Sequence, residues 1–421
     1  MNKLTKDQVT KFLAFMIWNH ADIISINYLN EIELSDKKSK NIDYYTSEIL
    51  SLLEKEILSY EIRNGDKIGL LLSGWLDSTI LLCLLKKEFP DSEIFTYTLG
   101  YSKDDIHLSK ARNIAENYKT THKEVIHDLN STLFETFDDI YQSWYYLEGE
   151  DSLIMNHILA KEVQKDCKVV FSWFWLDYVF AWMDLFRNSY IEKIFRKWLV
   201  DETYLYDILW WNKYYLKYVL DKISLLDEDF FVKYWEYYGY TLKEWLEKDS
   251  IDYFYGNLWT IRWDISELKK QIYFIISTSL SNRFNPYNEP YRKLWVKHCN
   301  PFWSKNIISK IIALNIPDEF LYNPYTKEKK FIIRKIAKSL ITKDVLTNLH
   351  TGTVLTYEKA FKENKTKILT LVQENKEFLS EFYSEKFLSN IENTIDDSTW
   401  YERSKQIIIL LQFLFYHKNN S

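Results

Sequence analysis

Two rhythms of apolar and polar residues divide this chain. Between Lys67 and Phe171, short apolar runs alternate with stretches whose apolar residues recur every three or four positions. Ile68 to Leu72, Glu93 to Leu99, His122 to Ile126 and Lys168 to Phe171 have the length and composition that predict strands. Leu76 to Lys87, Asp104 to Tyr118, Thr132 to Trp144 and Leu153 to Lys165 predict the helices between them. This alternation implies an α/β fold, a parallel sheet with helices on both faces. Upstream, Val9, Phe12, Leu13, Phe15 and Met16 repeat at helical spacing, and the polar stretch Ser35 to Lys40 follows. A helix from about Tyr45 to Tyr60 then leads to the turn signal Asn64-Gly65-Asp66. Beyond residue 190 the strand signals fade into aromatic-rich helical patterns such as Ile307 to Leu314, Lys329 to Leu340 and Ile407 to Tyr416. The expected organisation is an N-terminal helical segment over 1–60, an α/β core over 61–190 and a mostly helical region over 191–421.

At 421 residues, with 47% hydrophobic and 27% charged residues, the chain can bury a large core as a soluble globular protein. A net charge of -6 gives no reason to expect a nucleic-acid partner. No basic-then-apolar leader opens the sequence. The apolar stretch Val169 to Phe186 is interrupted by Asp177 and Asp184, and Ile407 to Phe415 is too short to span a bilayer, so no membrane association is expected. Cys83, Cys167 and Cys299 are odd in number and far apart, which suits a reducing cytoplasm rather than a disulfide framework or a zinc site.

The first candidate site is Leu70-Leu71-Leu72-Ser73-Gly74-Trp75-Leu76-Asp77-Ser78-Thr79, a strand running through a tight turn into a helix. Such a turn aims backbone N–H groups and the positive end of a helix at one spot, which suits a phosphate. Ser73, Ser78 and Thr79 add hydroxyls, and Asp77 could hold Mg²⁺ against the same phosphates. An ordinary strand-to-helix turn with a capping serine has the same outline. The turn resembles the SGGxDS loop of the PP-loop ATP pyrophosphatases, with Trp75 in place of one glycine.

The second is Val169-Val170-Phe171-Ser172-Trp173-Phe174-Trp175-Leu176-Asp177-Tyr178-Val179-Phe180-Ala181-Trp182. It resembles the VVLSGEGADELFGGY stretch of asparagine synthetases at Val169, Val170, Ser172, Asp177 and Phe180. Further matches fall in that family's order: Thr98 to Tyr101, Ala111-Arg112 through Ala115-Glu116, Thr121 to Val125, Pro301-Phe302 and Ile316-Pro317-Asp318. Thr326 to Arg334 follows, with Lys330 at the family's catalytic lysine position; by itself Lys327-Glu328-Lys329-Lys330 reads as a solvated helix face. Residues 50–190 carry the resemblance well, 295–360 moderately, and 191–290 not at all.

The resemblance implies a synthetase domain in which a carboxylate attacks the α-phosphate of ATP and an amine then displaces AMP. It implies ATP and Mg²⁺ as cofactors, Lys330, Asp77 and Asp177 as catalytic residues, and Asp77 and Asp177 as metal ligands. Leu71, Ser73, Gly74, Trp75, Asp77, Ser78, Leu99, Ser172 and Trp173 would surround the nucleotide. The partners implied are a carboxylate substrate and an amine donor, with a separate glutaminase or a precursor peptide as further candidates. The N-terminal glutaminase domain of glutamine-dependent members has no counterpart before the first strand, where Met1-Asn2-Lys3 begins.

The chain departs from the family pattern in two ways. Phe174 stands where asparagine synthetases have an acid and β-lactam synthetases a tyrosine, and a phenyl ring cannot take a proton. Tyr178 replaces an acid, and Asn348 and His350 replace an arginine and a lysine, with Gly352 retained. Second, Trp75, Trp173, Trp175 and Trp182 all stand at glycine positions of the two loops, in a chain with 16 Trp and only 8 Gly. Indoles there would fill the pyrophosphate space, and a left-handed backbone would cost each about 1–2 kcal/mol. Alternatively these positions are glycines, written as tryptophan because the UGA codon is read differently in different genetic codes; Trp210-Trp211 and Trp303, in turn-like contexts, fit the same reading. Three functions follow: an adenylating amide ligase (a peptide or β-lactam-type cyclase among its variants), a tRNA-modifying PP-loop enzyme, and a scaffold that has lost turnover. The absent cysteine pairs, the acidic balance and the second motif weigh against the tRNA enzyme.

Overall fold

The computed structural model describes residues 24–36, 39, 41–103, 105–143, 152–174, 179–180, 261–262, 264–277, 284–323, 328–348, 357–398 and 401–420. The helices α1 (Ile26–Asn30) and α2 (Ile42–Leu58) come first. Then β1 (Ile68–Leu71), α3 (Leu76–Glu88), β2 (Ile94–Gly100), α4 (Ile106–Asn117), β3 (Thr121–Ile126), α5 (Leu129–Ser143), α6 (Ser152–Val163) and β4 (Val169–Phe171) follow, within a residue or three of the predicted bounds. The helices α7 (Glu267–Ile275) and α8 (Phe284–Lys293) precede a strand that periodicity does not predict, β5 (Lys297–Cys299). Its sequence, Lys-His-Cys, is too short and too polar to carry a strand signal.

The five strands form one sheet in the order β3-β2-β1-β4-β5. Every neighbouring pair is parallel: Ile68 lies opposite both Ile94 and Val169, and Val169 lies opposite Lys297. Strands β1, β2 and β4 are buried along their whole lengths, as expected of a sheet covered on both faces. Crossovers in such sheets are right-handed, so connections running from β1 toward β3 and those running toward β5 place their helices on opposite faces.

Downstream come α9 (Lys305–Ala313), α10 (Asp318–Leu321) and a small antiparallel hairpin, β6 (Tyr322–Asn323) with β7 (Glu328–Lys329), also unpredicted. Then follow α11 (Phe331–Leu340), α12 (Lys343–Asn348) and a helical C-terminal part ending in α13 (Tyr401–Asn420), which stacks Phe415 on Phe137 of α5 at 5.5 Å. No helix among the described residues is long and apolar enough to cross a membrane.

The helix α2 anchors this arrangement. Asn41 caps it, its side chain accepting from the Asp43 N–H at 2.9 Å. Tyr45, Ile49, Leu53 and Ile57, at four-residue spacing, line its buried face. That face packs against α3, α9 and α11, so α2 fixes the helix that follows β1 relative to the helix that begins after Lys330. Leu53→Ala should therefore cost about 2–5 kcal/mol of stability, measured by denaturant unfolding, through the cavity it leaves.

Candidate active site

Order β3-β2-β1-β4-β5 reverses direction between β1 and β4, and at such a switch point the loops leaving two neighbouring strands diverge to open a crevice at their carboxyl ends. The two candidate motifs leave those two strands: residues 72–75 connect β1 to α3, and Ser172 to Phe174 follow β4. The fold thus brings together segments far apart in sequence, and the rings of Trp75 and Trp173 stack at 6.4 Å across the gap.

The first loop is closed by its own hydroxyls. The Ser73 N–H donates to Ser78 Oγ at 3.3 Å, and the two serine hydroxyls lie 3.0 Å apart. Ser78 Oγ and Thr79 Oγ1 donate to the Trp75 carbonyl at 3.2 and 2.7 Å. Gly74 turns the chain with φ +77°, and a Cβ there would lie 2.9 Å from Lys110 Cβ and 3.1 Å from the Ala111 N. The left-handed cost expected for the loop tryptophans therefore does not arise at Trp75, whose backbone is extended at φ -109°, nor at Trp173, which has no positive φ; Gly74 takes that conformation instead. Leu71 and Leu99 are buried at the ends of neighbouring strands, and Thr98 Oγ1 donates to the Leu72 carbonyl beside them.

Asp77, in the first turn of α3, is 1% exposed. Its Oδ2 accepts from Lys330 Nζ, which comes from 253 residues further along the chain. Lys330 is not on a solvated helix face: it is 4% exposed and caps the start of α11 with a left-handed backbone, φ 52°. The hairpin β6–β7 delivers it, and the buried Ile332, Ile333, Ile336 and Ala337 of α11 hold it. A lysine in this conformation pays a local strain that persists only where the surroundings impose it.

In the second loop Ser172 is buried, and its N–H donates to the Cys299 carbonyl of β5 at 3.0 Å. Sequence reasoning missed His298, whose Nε2 lies 2.8 Å from Ser172 Oγ. His298 Nδ1 meets Asn288 Oδ1, which can only accept, so Nδ1 carries the proton and Nε2 accepts from the Ser172 hydroxyl. Tyr291 stacks on the ring at 4.6 Å, and burial pushes the imidazole pKa down from 6.5 to about 3. Phe174 is buried between Trp173 and Tyr287, at ring distances of 5.4 and 5.1 Å, and its carbonyl accepts from Asn300 Nδ2 at 3.0 Å. His107 completes the row on the other side, accepting from Trp75 Nε1 at 3.2 Å. These partners lie on α4, α8 and β5, and no motif marks them. Asp177 lies outside the described residues, as do Trp175, Tyr178, Trp182, His350 and Gly352. The expected approach of Asp177 to Asp77 is therefore not described. Arg112 and Glu124, from two of the matching runs, form a two-pronged exposed pair at 2.7 and 2.9 Å.

Two outcomes check this geometry. Gly74→Ala should destabilise the protein by at least about 1 kcal/mol in denaturant unfolding, because an L-residue meets both strain and close contact there. His298 is neutral when folded and protonates more readily when unfolded. Its share of stability is present above pH 6.5 and is lost as pH falls toward about 3. His122, His127 and His157 are shifted down by burial too and add in the same sense. Unfolding midpoints of His298→Gln across that range should fall less steeply than those of the unaltered chain.

An asparagine synthase family model matches residues 53–198. Among solved structures the chain is similar to the U34-tRNA thiolase NcsA from Methanococcus maripaludis with its iron–sulfur cluster. The two are 13% identical, the match covers 60% of this chain and 79% of that one, and the TM-score is 0.26. No curated protein matches. The match spans β1 to β4 together with the last six residues of α2 and both loops at the switch point, and the family is an ATP-utilising one. Residues 53–198, about a third of the chain, thus resemble the asparagine synthase domain, a unit of the PP-loop ATP pyrophosphatase type.

Proposed function

We propose that this protein adenylates a substrate carboxylate with ATP and then transfers the activated acyl group to an amine. The observation that carries this reading is the buried contact of Lys330 with Asp77 at the mouth of the β1 loop. A cation and an anion held out of water are costly to keep, and here they stand where a helix N-terminus favours a phosphate.

In the first step a carboxylate oxygen attacks the α-phosphorus, and the bond from that phosphorus to the bridging oxygen breaks. Pyrophosphate leaves with the electron pair, so negative charge grows on the β-phosphate side, and stabilising it is chiefly electrostatic work. The start of α3, the Ser73 and Ser78 hydroxyls and Gly74 would cradle the pyrophosphate, and the Lys330 ammonium would offset its charge. Leu71, Leu99 and Ser172 would line the adenosine, with Trp75 and Trp173 at the rim. Mg²⁺ would add charge to the phosphate oxygens when bound. Asp77 and Asp177 are the residues assigned to hold it, and one or two carboxylates plus phosphates is a donor set that suits this ion.

In the second step the amine nitrogen attacks the acyl carbon, the bond to AMP breaks, and the amine gives up a proton. Phe174 offers no acceptor for that proton, so in this reading it passes to the departing AMP phosphate or to water. The amine is free ammonia, ammonia from a separate glutaminase, or a group already on the substrate as in the cyclases. A second reading, a scaffold without turnover, is favoured by the Trp75–Trp173 stack standing over the first loop.

Incubation with ATP, Mg²⁺ and a panel of amino-acid and peptide carboxylates should release AMP and pyrophosphate. Lys330→Gln should lower that release by about 100-fold or more, with the circular dichroism spectrum retained. ADP and phosphate as products, or no release with any carboxylate, would sink the ligase reading.

A further inference from the structure

Three described tryptophans stand where glycine would serve better: Trp295 at a left-handed helix end, Trp75 at a helix N-cap, and Trp173 stacked on Trp75 in the facing loop. We infer that the cell making this protein inserts glycine at positions 75, 173 and 295. The crevice at the switch point is then a glycine-lined cradle open to a triphosphate, a consequence that rests on the function proposed above.

Trp295 supplies the observation independent of any motif. It follows the end of α8, where the Val296 N–H donates to the Tyr291 carbonyl at 2.9 Å and the Trp295 N–H to the Arg292 carbonyl at 3.1 Å. This paired closure is the Schellman ending of a helix, and its hinge residue takes a left-handed backbone that glycine accepts without cost. Trp295 has φ 57° and is 86% exposed. The chain places other side chains at positive φ: Glu61, Lys119, Asn315 and Lys330. Three of those are charged and the fourth is asparagine, which visits this region readily. A bulky aromatic there is an outlier, and this one buries almost nothing in return.

Trp75 fails at the other end of a helix. It is the N-cap of α3 and makes no side-chain cap hydrogen bond. Serine, threonine, aspartate, asparagine and glycine are favoured there, and tryptophan has no acceptor to offer. Trp173 stacks at 6.4 Å on Trp75, the N-cap of α3, so both rings lie beside the helix end that favours a phosphate. Trp303 shows none of these signatures. It is buried, and it precedes the Ser304 N-cap of α9, where an apolar residue is favoured. We leave it as tryptophan.

Composition gives the link between these sites. Gly is 8 of 421 residues, about 2% against an average of roughly 7%, while Trp reaches 16. A single codon, UGA, read as tryptophan in one genetic code and as glycine in another, raises one count and lowers the other together. A bias in base composition toward lysine, isoleucine and tyrosine lowers glycine but does not raise tryptophan.

The test is tandem mass spectrometry of the peptides spanning positions 75, 173 and 295 in protein purified from its own cells. Glycine at all three supports the inference, and tryptophan at any of them overturns it. In recombinant protein, Trp295→Gly should raise the Tm by a few degrees and leave ATP binding unchanged. The double variant Trp75→Gly with Trp173→Gly should bind ATP at least about 10-fold more tightly than the chain with both tryptophans. Glycine in the native peptides with no ATP binding by the double variant would uphold this inference and reject the nucleotide reading.

Discussion

Where β1 lies beside β4, Ile68 is opposite Val169 and Leu70 opposite Phe171, and from that pair the connections depart in opposite directions. At such a switch point the loops leaving the two strands diverge, which leaves a crevice at their carboxyl ends. Everything assigned to the site depends on this pairing. Slide or separate the two strands, and Ser73–Ser78 no longer faces Ser172–Trp173. The burial of both strands on both faces holds the register, because any slip would push apolar residues into water.

The ion pair between Lys330 and Asp77 is the least economical feature of the site. Two charges nearly closed off from solvent cost several kcal/mol to desolvate, and their attraction returns that only with good geometry. The lysine's left-handed backbone adds strain. Packing absorbs these costs: α2 bridges α3 and α11, so the two helices at whose starts the charges sit cannot drift apart. A pair kept at such expense fits a place where charge must later be met by charge, and a phosphate is the natural substitute for the carboxylate as partner of the ammonium.

The two proposed half-reactions stand on different footing in this chain. Residues for handling a triphosphate converge, whereas the position that would accept the amine's proton holds Phe174, packed into an aromatic row from His107 to Tyr287. With glycine at positions 75 and 173 that row is broken at its centre, and the crevice and the phenyl ring become separate matters. On the proposed reading the first is then a phosphate site of the ordinary kind, and the second is where the chain departs from an amide synthetase.

The α/β alternation, the strand bounds and the two loops were legible from the sequence, because a fully buried parallel strand must be an apolar run and a phosphate turn must combine glycine with small hydroxyl residues. Leu71, Ser73, Gly74, Asp77, Ser78 and Ser172 could be named from that chemistry and from family order. Local pattern could not show β5: Lys297-His298-Cys299 is a strand only because β4 offers it an edge to pair with. Nor could it show that Lys330, in a run of charges, is buried, since burial depends on what packs around a residue and not on its neighbours in the chain. His298 became visible as the partner of Ser172 for the same reason. Periodicity and turn chemistry act within a few residues, so the sequence by itself determined the pieces and their order; the meeting of Asp77 with Lys330 and of Ser172 with His298 is long-range packing, which only the tertiary structure decided.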